Sequence, residues 1–203
     1  MIIPEGEAAC AKAAEIVRRG NVIGYRTDTL YGLGVDPLNA VAVSKVIDLK
    51  GREDGKPILL LISDPEVIPK YLTQTSTAFH ELSERFWPGP LTLIGEARVE
   101  LPQELTAGTG TLGLRLPDSK GLRDLVRACG GALTATSANP SGKPAAMSAF
   151  EVESYFPQID LIVDNGSVTS TEPSTVLEVL GSRPRLIREG KIKRMELARW
   201  LDN

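Results

Sequence analysis

The segment PILLLI, residues 57–62, carries no polar side chain. A short, wholly apolar run bounded by turn-forming residues reads as a strand covered on both faces, because its alternating side chains would otherwise meet water. That requirement points to a sheet with packed layers on either side. Just ahead of the run stand Lys50, Arg52 and Lys56, three cations crowded at the mouth of a buried strand.

The rest of the chain supplies the layers. Residues 6–19 have helical spacing, with Ala11, Ala14 and Val17 on one face and Gly20 as the stop. NVIGYRT reads as a strand and TDTLYGLG as a loop. A helix follows from an Asn39 N-cap through Val43, Val46, Ile47 and Lys50. DPEVIPKYL and TSTAFHELSERF read as helices, the first cut by Pro69 and the second ended by WPGP. LTLIGEA, TLGLRLP, ALTATS, DLIVDNG, STVLEVL and PRLIREG read as strands, SKGLRDLVRACG as a helix and KRMELARWL as a closing amphipathic helix. SANPSGKPAAMS, rich in turn formers, reads as an ordered loop between strong elements. Strands and helices mix without regular βαβ alternation. The expectation is one α/β domain over residues 1–203, with a twisted mixed sheet and flanking helices.

Composition narrows the function. The 203 residues are 42% hydrophobic and 24% charged, with a net charge of −3, so bulk attraction to nucleic acid is not expected. Cys10, Cys129 and His80 fall short of the four ligands that a structural zinc takes, and two lone thiols fit a reducing cytosol. The first twenty residues lack the apolar core of a secretory signal. No apolar run approaches membrane-spanning length, so a cytoplasmic protein without a membrane segment is expected. No Walker or dinucleotide glycine loop occurs, and no G-x-S-x-G.

Polar groups instead gather where elements end. TDTLYG brings Thr27, Thr29 and Tyr31, and KGREDGK brings Lys50, Arg52 and Lys56. TLGLRLP brings Thr111 and Arg115, and TSANPSGK brings Thr136, Ser137, Asn139, Ser141 and Lys143; Ser174 opens a strand and Arg188 sits in LIREG. Each has a plain alternative: Lys50 and Arg52 can complement a helix C-terminus, Arg115 can reach to solvent from an edge strand, and SANPSG can be turn chemistry. Together they fit a cleft binding an anion, in which guanidinium and ammonium groups match phosphate oxygens and hydroxyls add neutral donors. The cations beside PILLLI then read as a triphosphate seat. Asp28, Glu53 and Asp54 read as solvated loop charges without a role.

The ordered set YRTDTLYGLG, LKGR, FWPGPLTLI, GLRLP, TSANPSG, PSTVLEV and LIREG resembles the YrdC/Sua5 family of threonylcarbamoyl-AMP synthases, over about residues 10–190. The resemblance is to the short form, without an additional C-terminal domain. It implies a deep, positively lined concave face on a YrdC-like fold. It also implies a reaction in which L-threonine, bicarbonate or CO2 and ATP give threonylcarbamoyl-AMP and pyrophosphate for the t6A modification of tRNA. The roles it implies are catalytic for Lys50 and Arg52; ATP-binding for Arg52, Lys56, Thr111, Ser137, Asn139, Ser174 and Arg188; and threonine-binding for Thr29, Tyr31, Arg115 and Thr136. Mg²⁺ is expected only with ATP, with no metal ligand from the protein, and tRNA and other proteins of the t6A pathway are the implied partners. Three positions depart from the family's pattern: Arg26 where many relatives have proline, Leu61 where some long forms have histidine, and Ala145 where some have serine. A carbamoyl-adenylate-forming relative and an RNA-binding module are the competing readings. The second is disfavoured by the charge and by an aromatic content of 5%.

Overall fold

A computed structural model of the chain describes residues 1–51, 57–168, 172–181 and 183–201. Its centre is a ten-stranded mixed sheet. The strands are β1 (Ile2–Pro4), β2 (Ile23–Arg26), β3 (Tyr31–Gly34), β4 (Leu59–Ile62), β5 (Leu91–Glu96), β6 (Thr111–Arg115), β7 (Ala132–Ser137), β8 (Leu161–Asp164), β9 (Thr175–Glu178) and β10 (Arg185–Arg188). They lie in the order β1-β8-β2-β3-β7-β4-β6-β5-β9-β10. Parallel pairs (β1 with β8, β8 with β2, β4 with β6, β5 with β9) are interleaved with antiparallel ones.

The apolar run behaves as its sequence demands. β4 sits inside the sheet between β7 and β6. Leu60 and Ile62 enter a large hydrophobic cluster on one face, while Leu61 enters a smaller cluster on the other. The larger layer is supplied by α2 (Ala40–Lys50), α3 (Thr77–Phe86) and α6 (Ala149–Tyr155), through residues such as Val43, Phe79 and Val152. The smaller is supplied by α1 (Glu7–Arg18) and α5 (Lys120–Ala128), through Ala13, Val17, Leu122 and Val126. A short α4 (Gln103–Thr106) precedes β6.

Local chemistry sets the helix limits. The Asn39 side chain accepts from the Ala42 amide at 3.1 Å to open α2, and Gly51 closes it in the left-handed conformation at φ 55°. Ser76 and Ser119 cap α3 and α5 in the same way.

Several sequence expectations are corrected. TDTLYGLG is not all loop, since its second half is β3, whose Leu33 is fully buried. Gly34 is required there by a close approach: a Cβ would meet Tyr25 Cε1 at 2.6 Å. DPEVIPKYL forms a 3₁₀-helix, Pro65–Lys70, because Pro69 removes an amide from its interior. KRMELARWL forms only a 3₁₀-turn at Arg194–Leu197, which anchors through Leu197 and Leu201. Arg115 is not on an edge strand, because β6 lies between β4 and β5. β1, α4 and α6 have no counterpart in the sequence reading.

Replacing Gly34 with alanine should drive a methyl into the buried Tyr25 ring and lower the unfolding free energy by about 1–3 kcal/mol. Chemical denaturation would measure it, and an unchanged midpoint would contradict the packing.

Candidate active site

One face of the sheet carries a row of residues fixed by register. Arg188 pairs with Val176 across β10 and β9, and Val176 with Thr92 across β9 and β5. The β5–β6 register continues from Leu93 opposite Leu114, setting Thr92 beside Arg115. Leu61 lies next to Arg115 on β4 and opposite Leu133 on β7. Paired residues share a face, so these side chains project to one side. This is the side covered by α1 and α5, whose cluster includes Leu61 and Leu133. Where the helices leave the face bare, a cleft of about 330 Å³ opens, floored by Leu59, Leu61 and Ala135.

At one end of the cleft is Arg115, 3% exposed. Its Nε donates to Gly89 O at 3.1 Å, its Nη1 approaches Thr29 Oγ1 at 3.5 Å, and its Nη2 pairs with the Asp28 carboxylate. Burial depresses the Arg115 pKa, and the Asp28 charge opposes that effect. Thr29 is held by a tight turn. Thr27 Oγ1 accepts from the Thr29 and Leu30 amides at 3.1 and 3.0 Å, and the Thr27 and Thr29 hydroxyls lie 3.1 Å apart.

At the other end, Arg188 stands at an exposed rim with its guanidinium turned inward. Nε and Nη2 donate to Ser174 O at 3.2 and 3.0 Å. Ser174 Oγ lies 3.0 Å from Thr92 Oγ1. Burial of the head group, followed by repulsion from Arg115, lowers the Arg188 pKa, so the two guanidiniums feel one another across the cleft. Gly190 lets the chain after β10 lie flush on Pro173 and Ser174, where a Cβ would collide with backbone.

The third wall is the end of β7. Thr136 and Ser137 line the cleft, in register with Leu33 and Gly32. Behind them the Lys50 ammonium, on a residue 6% exposed, donates to the carbonyls of Ser137 and Asn139 (2.7 Å to the latter) and lies 3.4 Å from Ser137 Oγ. In return the Ser141 amide donates to Lys50 O at 2.8 Å. The C-terminal turn of α2 is thereby tied to the SANPSG loop.

Thr29, Tyr31, Arg115, Thr136, Ser137, Ser174 and Arg188 all line this cleft, drawn from five separate stretches of sequence. Lys50, Asn139 and Thr111 have other placements, and Tyr31 lines the cleft without a free hydroxyl. Lys50, expected to be catalytic, is seated beneath the loop and is not among the lining residues. Its buried cation is satisfied by backbone carbonyls, which makes it a support of the wall. The Tyr31 hydroxyl, expected at threonine, bonds to Asp164 and to Gly166 O, and burial raises its pKa. Tyr31 therefore lines the cleft with its phenol already engaged. The Asn139 amide nitrogen is spent on Pro140 O and Lys143 O, leaving a buried Oδ1 with no partner. Thr111 begins β6, on the same face as Arg115 but roughly 13 Å away along the strand. The β4–β6 register places it level with Pro57, at the cleft's margin. Arg52 and Lys56 lie outside the described residues.

Two residues were missed by sequence reasoning. Asp28, read as a solvated charge, is the partner of Arg115; Lys191 donates to Asp28 O at 3.0 Å and brings another cation to this corner. An acid set between two threonines in a motif is a signal, but its partner is 87 positions away.

A Lys50→Met variant should leave the Ser137 and Asn139 carbonyls without their buried donor. It should lose about 1–3 kcal/mol of stability while speeding proteolysis within 137–143. Limited digestion read by mass spectrometry would check this, and wild-type stability and cleavage would refute the bracing role.

Comparison with known proteins identifies the family and the fold. A family model, Sua5_yciO_yrdC, described as "Telomere recombination", matches residues 15–190. A threonylcarbamoyl-AMP synthase of Pyrococcus abyssi is 32% identical over 91% of the chain, although the chain spans only 55% of that relative's length. One from Thiobacillus denitrificans is 37% identical over 80% of the chain and 87% of the relative. The structure of P. abyssi Sua5 complexed with L-threonine superposes with a TM-score of 0.92 at 30% identity, covering 98% of this chain and 60% of that one. On its sequence and its sheet alike, the chain belongs to the Sua5/YciO/YrdC family.

Proposed function

We propose that the chain is a threonylcarbamoyl-AMP synthase. It joins L-threonine, bicarbonate or CO2 and ATP into threonylcarbamoyl-AMP, releasing pyrophosphate and, from bicarbonate, water. The product supplies the t6A modification of tRNA. The observation that carries the reading is one cleft with a separate guanidinium at each end, Arg115 with Thr29 and Arg188 with Ser174. A single anion would need one such end. An amino acid lying beside a nucleotide uses both.

The lining suits this chemistry. Among the described residues that line it there is no carboxylate, imidazole or thiol side chain, and the reaction asks for none. The threonine amine takes up CO2 as a carbamate, and the carbamate oxygen attacks the α-phosphorus as pyrophosphate leaves. The substrate thus brings its own nucleophile. The protein's part is alignment and charge neutralisation, the usual source of rate in phosphorus transfer. Thr29 and Arg115 take the threonine carboxylate, with Thr136 beside them; Ser137, Ser174 and Arg188 take the nucleotide. Arg52, Lys56, Thr111 and Asn139 remain assigned to ATP on the family resemblance. Lys50 acts through the loop that it supports.

Mg²⁺ would arrive with ATP, held mainly by phosphate oxygens and water. Among the described residues, no three carboxylate, imidazole or thiol groups converge on a point where an ion could sit. Among the same residues, no helix is long and apolar enough to cross a membrane. Direct contact with tRNA or with the other t6A proteins belongs to the same proposal.

Incubation with ATP, L-threonine and bicarbonate, followed by mass detection of the adenylate, tests it. Pyrophosphate release should require both L-threonine and bicarbonate. Release driven by carbamoyl phosphate would instead favour a carbamoyl adenylate, and tRNA binding without release an RNA-binding module. An Arg188→Ala variant should lower kcat/KM for ATP by about 10²-fold, the scale of losing one preorganised charge contact, with little change in melting temperature. Wild-type turnover in that variant would remove Arg188 from the nucleotide site.

A further inference from the structure

The acidic member of the cleft's amino-acid end has no part in the functions above. The Asp28 side chain is 19% exposed and paired with Arg115 Nη2, while its Oδ1 is buried without a hydrogen-bond partner. Its backbone carbonyl receives the Lys191 ammonium at 3.0 Å, so the segment that carries it is pinned from behind. Gly89 O holds Arg115 at Nε, and Asp28 holds it at Nη2. A planar guanidinium fixed at two points has its rotation set, and the N–H groups left over face Thr29 and the cleft.

We propose that Asp28 is the positioning residue of the amino-acid end, fixing the plane of the Arg115 guanidinium and cancelling one of the positive charges gathered there. This rests on the reading that the cleft takes L-threonine. Arg115 and Lys191 bring two cations to this corner, and an uncompensated pair of cations suits a multiply charged anion such as phosphate. With Asp28 in place the corner is left with the charge that one carboxylate neutralises. Asp28 therefore matches the site to an amino acid and keeps stray phosphate out of it.

The experiment compares the wild type with Asp28→Asn, which keeps shape and loses charge, and Asp28→Glu, which keeps charge. Asp28→Asn should raise KM for L-threonine about 10-fold, with kcat and KM for ATP changed by less than about two-fold. Inorganic phosphate should become a competitor of L-threonine at concentrations that leave the wild type unaffected. Asp28→Glu should recover most of the threonine KM. An unchanged threonine KM and phosphate sensitivity in Asp28→Asn overturns the proposal, as does an equal fall in kcat with every KM unchanged. If Asp28→Asn does not fold, Asp28→Glu decides: a threonine KM near the wild type supports the positioning role, and failure of both variants to fold makes Asp28 a structural residue and ends it. If the wild type forms no adenylate, the functional reading fails instead. Calorimetric titration of phosphate into wild type and Asp28→Asn then decides the charge-matching by itself: tighter binding to the variant supports it, and equal binding overturns it.

Discussion

A strand without a polar side chain has to be hidden from water on both faces, and β4 obliges the chain to build a layer on each side of it. Leu60 and Ile62 draw α2, α3 and α6 to one face, while Leu61 draws α1 and α5 to the other. The two layers are unequal. The smaller cluster leaves part of its face uncovered, and the bare part is the cleft, with Leu59 and Leu61 as its floor. The site is thus a consequence of how far two helices reach across a sheet. The polar residues around it are those whose strands end at, or pass through, that uncovered area.

Burying cations in such a place is costly unless each has its partners. The structure meets that cost differently at three points. Lys50 is satisfied by carbonyls of the loop it supports, so its charge is turned into backbone order. Arg115 is satisfied by a carboxylate and a carbonyl. Arg188 is held by the carbonyl and hydroxyl of Ser174 and stays at the exposed rim. The gradient runs from a cation seated among backbone carbonyls, through one shared with a carboxylate, to one at the exposed rim. It sorts the residues by what they can still bind, which their identity as lysine or arginine does not reveal.

The sequence conveyed the architecture where periodicity was strong. β4, the Asn39-capped helix and the strand before Arg115 stand where the pattern placed them. It failed where an element is too short to show a period. β1 has three residues and depends on parallel pairing with β8, some 160 positions away. α6 has seven and is defined by burial of Ala149 and Val152. β3 was hidden because its glycines read as turn formers, when Gly34 is there to admit the Tyr25 ring. At the site, residue types were legible and partners were not. Cations and hydroxyls at element ends announced a pocket. That Asp28 belongs to Arg115, or that the Tyr31 phenol belongs to Asp164, follows only from the order of strands in the sheet.

The same floor bears on selectivity within the proposed reaction. Leu61 lies beside Arg115 on the neighbouring strand, so the floor there is hydrocarbon. Such a surface can favour threonine over serine through the extra methyl, a difference worth about 10- to 200-fold. It cannot by itself reject valine, which has the same outline without the hydroxyl. A site rejects an analogue lacking a hydroxyl strongly only when a polar group of its own is left unpaired by the exchange. Around Arg115, the hydroxyl-bearing residues lining the cleft are Thr29 and Thr136, and β4 offers only hydrocarbon. In the proposed reaction, polar contact with the amino acid therefore comes from the two hydroxyl-bearing walls, with Leu61 contributing shape alone.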